Sequence, residues 1–206
     1  MREAIDYYFT VISPNVYLGH KTLMEIARRH DVPVHFRPVV LGSLWEQSGS
    51  VPLPQRSAMR QRYRFVELQR LAELRGERIN LRPAHFPTNP QLADRSAAAI
   101  VLAGSNPDGF VYAATHAVWA DEKDVADEDV VADLLAGQGH DASAILKAAA
   151  GEEAAAAMAA NSKAASAADA IGVPAYVYRG ETFWGQDRLE LLERMIATGR
   201  EPYRTL

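Results

Sequence analysis

The sequence predicts an α/β fold: a mixed sheet built from a βαβ half and a ββα half, with a large all-helical insertion between them. Three observations carry this. Two short apolar runs, AIDYYF at residues 4–9 and VHFRPVV at 34–40, flank a segment with helical spacing. The long stretch that follows reads as helices. Strand signals then return after Gly172 and lead into one last amphipathic helix.

AIDYYF is short and aromatic-rich, which suits a buried strand, and after Ser13-Pro14 the residues Val16, Leu23, Ile26 and Ala27 recur at helical spacing. Asp31-Val32-Pro33 breaks that helix, and Val34 and Phe36 alternate with His35 and Arg37 as a second strand does. A helix-length crossover is what a parallel pair requires. Residues 42–56, rich in Gly, Ser, Pro and Gln, read as a loop before a strongly helical stretch that ends at Gly76. From there to residue 171 the pattern is helical, in segments 90–104, 107–121, 127–136 and 142–171, separated by NP, DG and GQGHD breakers. The Ala-rich run of the last segment reads as helix, because alanine has the best helix propensity. Residues 173–178 and 181–184 form a hairpin around Arg179-Gly180, and Leu189, Leu192, Met195 and Ile196 share one face of the closing helix. Residues 1–42 and 172–206 then make one split unit and 43–171 an inserted helical one. This brings positions near 13, 174 and 185 together although they are far apart in the chain.

Composition excludes several chemistries. The chain has 22 Lys and Arg against 26 Asp and Glu, which argues against a nucleic-acid surface, since phosphate binding needs clustered positive charge. It contains no cysteine, so disulfides, thiolate metal sites and cysteine nucleophiles are out. Any thiol chemistry must borrow its sulfur. Histidines 20, 30, 35, 85, 116 and 140 show no metal-ligand spacing, and no metal is expected. Neither a phosphate loop nor a Gly-x-Ser-x-Gly elbow is present. The N-terminus lacks a signal-peptide core and no segment approaches a membrane span, so the expectation is a cytoplasmic protein without a membrane partner.

Three motifs, Ser13-Pro14 with Tyr17-Leu18, Gly172-Val173-Pro174, and Phe183-Trp184-Gly185-Gln186-Asp187-Arg188, appear in the order and spacing of a known group. Over essentially its whole length the chain resembles the thioredoxin-like fold of the disulfide oxidoreductases and kappa-class glutathione transferases. Within that group it is most similar to the 2-hydroxychromene-2-carboxylate isomerases, glutathione-dependent enzymes of aromatic degradation. The resemblance implies glutathione as cofactor, a conjugated or electrophilic aromatic as substrate, and a homodimer. It implies that Ser13 holds the glutathione thiolate at the start of the first helix, where dithiol members carry a reactive cysteine. Local sequence favours a plainer role for Ser13, a helix cap ahead of Pro14 at the first helical position. The two roles are compatible.

By the same resemblance, Val173 and Pro174 form the cis-proline site that pairs with the tripeptide backbone. Sequence does not distinguish this from a trans proline at a strand start. Asp187 is implied to accept the α-amino group of glutathione, with Gly185 and Gln186 beside it and Trp184 as a wall; a first-turn acid is the ordinary alternative for Asp187. On the substrate side the chain departs from the family. Ser50, beside Val51, stands where the isomerase has asparagine, Trp45 where it has the lysine taken to bind the substrate carboxylate, and Phe86 where it has tyrosine. An indole does not replace an ammonium as a carboxylate partner. Arg60 and Arg62 on the following helix are candidates for the missing charge, against an ordinary solvated face. His85 is a candidate acid/base group, against an ordinary surface histidine. Isomerisation is the first functional expectation, conjugation by a kappa-like transferase the second, and a non-catalytic thiol- or peptide-binding module the third.

Overall fold

A computed structural model describes residues 3–204. In chain order the elements are β1 (Ile5–Phe9), α1 (Pro14–Arg29), β2 (Val34–Pro38), α2 (Leu41–Ser48), α3 (Ala58–Arg75), α4 (Gln91–Leu102), α5 (Asp108–Trp119), α6 (Glu128–Gly137), α7 (Ala142–Ala149), α8 (Glu152–Ala167), β3 (Ala175–Tyr178), β4 (Glu181–Trp184) and α9 (Leu189–Thr198). The sheet order is β2-β1-β3-β4. β1 runs parallel to β2 and antiparallel to β3, and β3 pairs antiparallel with β4.

Central β1 is covered on both faces, which explains why Tyr7, Tyr8 and Phe9 are buried in succession rather than alternately. Tyr7 sits opposite Phe36 and Tyr176 in register, and its ring stacks on that of Tyr176 at 5.5 Å and meets Phe36 edge-on at 5.8 Å. Such cross-strand aromatic pairs fix the register of the three strands. α1 packs on this face with Val16, Leu23 and Ile26 inward, and its close approach to the turn ahead of α9 depends on Gly19. A Cβ there would lie 2.6 Å from Gln186 Cβ, which only glycine avoids. On the opposite face, α8 lays Ala165 over Tyr8, Val39, Leu44 and Ala175.

Three expectations need correction. Residues 42–56 are not all loop: α2 occupies Leu41–Ser48, with Gly49 closing it in the left-handed region at φ 70°. The helix forms because Leu44 is buried in the α8 cluster, a tertiary gain that the polar local sequence does not advertise. Residues 77–90 contain no helix and hold the cis bond Phe86-Pro87. The predicted segment 142–171 is two helices, with Gly151 in extended conformation capping α8. The Ala-rich run is helical as predicted, and small Ala98 and Ala154 let α4 and α8 pack closely around Met158. β3 begins at Ala175, after Pro174.

Candidate active site

The first helix begins where a serine permits it. Ser13 is extended, at φ −84° and ψ 124°, and its Oγ accepts the Val16 N–H at 3.4 Å while Pro14 occupies the first helical position. Because Oγ serves there as an acceptor, its own hydrogen remains free to donate. Ser13 is 8% exposed. The next N–H, that of Asn15, has no protein partner among the described residues, so a donor at the positive end of a long helix is left open.

Ser13 and Asn15 face a cleft of about 490 Å³. Across it stand Gly172, Val173 and the segment Trp184–Arg188. The Val173-Pro174 bond is cis, and neither backbone group of Val173 is hydrogen-bonded within the described chain. The carbonyl of Pro174 instead accepts the Gly185 N–H at 2.9 Å, which ties the proline loop to the turn after β4. Trp184 is 47% exposed and lies against Gly172, where a Cβ would come within 3.0 Å of its Nε1. The indole is thus a wall of the cleft and not hairpin core. A second groove, of about 740 Å³, is lined by β2 and its neighbours and shares none of these groups.

Gly185 adopts φ 99°, a region hostile to other residues, and so swings the chain into the turn Gln186–Arg188 ahead of α9. Asp187 does not cap α9; its carboxylate is half exposed at the cleft and pairs with Arg188. Gln186 behaves differently. It is 1% exposed, and Arg75 from the end of α3 reaches across to bond its Oε1 at 2.9 Å and its backbone carbonyl at 3.0 Å, while also pairing with Glu190 at 2.8 Å. Since a guanidinium only donates, the amide must present oxygen to Arg75, which leaves the buried Nε2 without a partner. Arg75 was invisible as a site residue in the sequence, where it reads only as a favourable basic residue in a last turn.

Beneath the Ser13 loop lies Asp94 of α4, fully buried. Its two oxygens bond Thr10 Oγ1 at 2.5 Å and the Val11 N–H at 2.8 Å. Burial pushes this carboxyl up to about 7, against the opposing pull of those two bonds. α4 is therefore fastened to the segment that delivers Ser13.

Of the residues expected to meet substrate, Trp45, Ser50 and Phe86 line the cleft and Val51 does not; of those expected to meet glutathione, Pro174 does not. Arg60 and Arg62 point to solvent, and His85 is exposed beside Asp124 at 3.9 Å. The cleft instead contains Arg56 and Arg64. The sequence carries a signal for the face but not for the residue, since Arg60, Arg64 and buried Leu68 recur at intervals of four on α3. Burial lowers the pKa of both guanidiniums, and the charge of Arg56 adds to the effect on Arg64.

Comparison with known proteins agrees with this architecture. A relative named 2-hydroxychromene-2-carboxylate isomerase, from Sphingobium xenophagum, is 27% identical over 203 residues, 95% of this chain and 99% of its own. One of the same name from Pseudomonas putida is 27% identical over 192 residues, 92% of each chain. A solved 2-hydroxychromene-2-carboxylate isomerase superposes with a TM-score of 0.78 over 95% of both chains at 24% identity. The cytosolic disulfide reductase DsbM from Pseudomonas aeruginosa, solved with GSH, superposes at 0.69 over 95% of this chain and 98% of its own, at 14% identity. The profile of the DSBA-like thioredoxin domain matches residues 4–197, and the chain belongs to that family.

Proposed function

We propose that this chain is a glutathione-dependent isomerase of the 2-hydroxychromene-2-carboxylate type. The observation that carries the reading is one cleft in which a serine hydroxyl with a free hydrogen, an open helix N–H and the unpaired backbone of Val173 face one another. Relatives named for that isomerisation, aligned over nearly their full length, support the reaction class.

The residues present fit the tripeptide. Val173 offers its N–H and C=O as the edge of a strand does, which suits a peptide backbone. Asp187, half exposed, is placed to exchange Arg188 for an ammonium. Ser13 and the Asn15 N–H would donate to the sulfur and, with the helix dipole, favour its ionised form near neutral pH. When bound, glutathione supplies a nucleophilic sulfur that adds reversibly to a conjugated double bond, allowing rotation about it, and is returned unchanged. Trp184, Trp45 and Phe86 exclude water from the reacting double bond. Trp45 in place of a lysine favours a second reading, conjugation of electrophilic aromatics. Conjugation consumes thiol and isomerisation does not, so a thiol assay during turnover separates the two.

Calorimetric titration of reduced glutathione is the test. The wild type should bind, Asp187→Ala should bind more weakly, and Ser13→Ala should raise the pKa of the bound thiol as followed by thiolate absorbance. No heat and no thermal stabilisation with millimolar glutathione would overturn the proposal.

A further inference from the structure

We propose that Arg64, assisted by Arg56, is the specificity-determining residue of this chain, the group that holds the carboxylate of the aromatic ligand although Trp45 offers no cation for it. The inference rests on reading the cleft as the active site, and it deepens that reading by naming the residues that recognise the anion.

The argument begins with an imbalance of charge. Arg56 and Arg64 are both half-buried and both line the cleft, yet neither forms an ion pair among the described residues. Arg56 spends its Nε on the Val51 carbonyl at 3.0 Å, which aims the rest of the guanidinium without neutralising it. Glu67 lines the same cleft but pairs with neither. Two like charges drawn partly out of water with no acid between them oppose folding, and an anionic ligand offsets that cost.

The surroundings of Arg64 define the shape of the anion. Its guanidinium carbon lies 5.5 Å from the Trp119 ring, 5.8 Å from Phe86 and 5.9 Å from Phe65. Rings satisfy the face of a guanidinium but leave the donors at its edge unused, and that edge matches a carboxylate with two parallel bonds. Phe86 itself packs on Trp119 at 4.8 Å and, with Trp45, gives the cleft flat apolar surface suited to an aromatic ring. A planar ring bearing a carboxylate satisfies both halves. The arginines thus take over the task for which Trp45 is unsuited, Arg64 from α3 and Arg56 from the turn just before it.

A carboxylate could come from the aromatic ligand or from glutathione, and binding of 2-naphthoate, neutral 2-naphthamide and glutathione distinguishes the two. Arg64→Gln is expected to weaken 2-naphthoate binding roughly tenfold, the loss of one charge-assisted contact. Arg56→Gln should weaken it less, and Arg60→Gln, exposed and one turn earlier on α3, should leave it unchanged. Affinities for 2-naphthamide and glutathione should stay within about twofold of the wild type throughout. Arg64→Lys keeps the charge but not the two-pronged edge, and with Arg56→Gln it carries the test should Arg64→Gln fail to fold. Unchanged 2-naphthoate binding would overturn the subsite, as would an equal loss in Arg60→Gln. A loss confined to glutathione would overturn it too, by assigning the arginines to the cofactor. If the wild type binds no glutathione but still prefers 2-naphthoate to 2-naphthamide through Arg64, the cofactor reading fails and the subsite stands.

Discussion

Ser13 shows two roles on one hydroxyl. As an acceptor it caps α1 through Val16, and as a donor it faces the cleft. Replacing it with alanine removes the cap, so Ser13→Ala should cost about 1 kcal/mol of stability even without ligand, read as a lower urea midpoint at unchanged slope. An unchanged midpoint would show that the 3.4 Å contact contributes nothing and that the serine is held for the cleft alone. The capping role was legible because Ser-Pro before a periodic apolar segment has a local physical signature. Gln186 was not legible as a buried, pinned side chain, because its partner lies 111 positions away.

At the scale of elements, the site depends on how α3, α1 and the turn before α9 are clasped. Arg75 joins the end of α3 to the Gln186 side chain, its carbonyl and Glu190, while Gly19 lets α1 close on the same turn. Arg75→Ala would leave the Gln186 carbonyl oxygen buried and unpaired, a loss of about 1–3 kcal/mol. If the proposed function holds, it should also weaken glutathione binding, because Asp187 is carried by the same turn. Denaturation and calorimetry together check this: weaker binding without lost stability would mean that Arg75 acts by charge rather than by holding the turn. α2 belongs to this scale as well. Its sequence is too polar and too short to declare a helix, and only burial of Leu44 beneath α8 decides it.

Across the whole molecule, Asp94 ties a helix of the insertion to the β1–α1 connection. The native state keeps its proton up to about pH 7, whereas the unfolded chain releases it near pH 4. Between those values the native state binds more protons, so this group's contribution to stability falls as pH rises, by roughly 4 kcal/mol in all. Asp94→Asn has no such proton to lose. Its stability relative to the wild type should therefore rise from pH 4 to pH 7 and level off above, measured as the difference in urea midpoints. A constant difference across that range would mean that the carboxyl titrates alike in both states.

The sequence by itself determined the βαβ and ββα halves, the helical insertion, the cap at Ser13 and the absence of any protein thiol. All of these rest on local periodicity, turn chemistry and composition, which act between residues a few positions apart. Tertiary structure alone decided that Val173-Pro174 is cis, that Arg56 and Arg64 rather than Arg60 and Arg62 enter the cleft, and that Arg75 and Asp94 hold its two sides. Arg60 and Arg64 lie four positions apart on one face of α3, so what separates them is where along the helix the cleft lies, and Arg56 precedes the helix altogether. Contacts made across 83 and 111 positions leave no trace in the residues beside them.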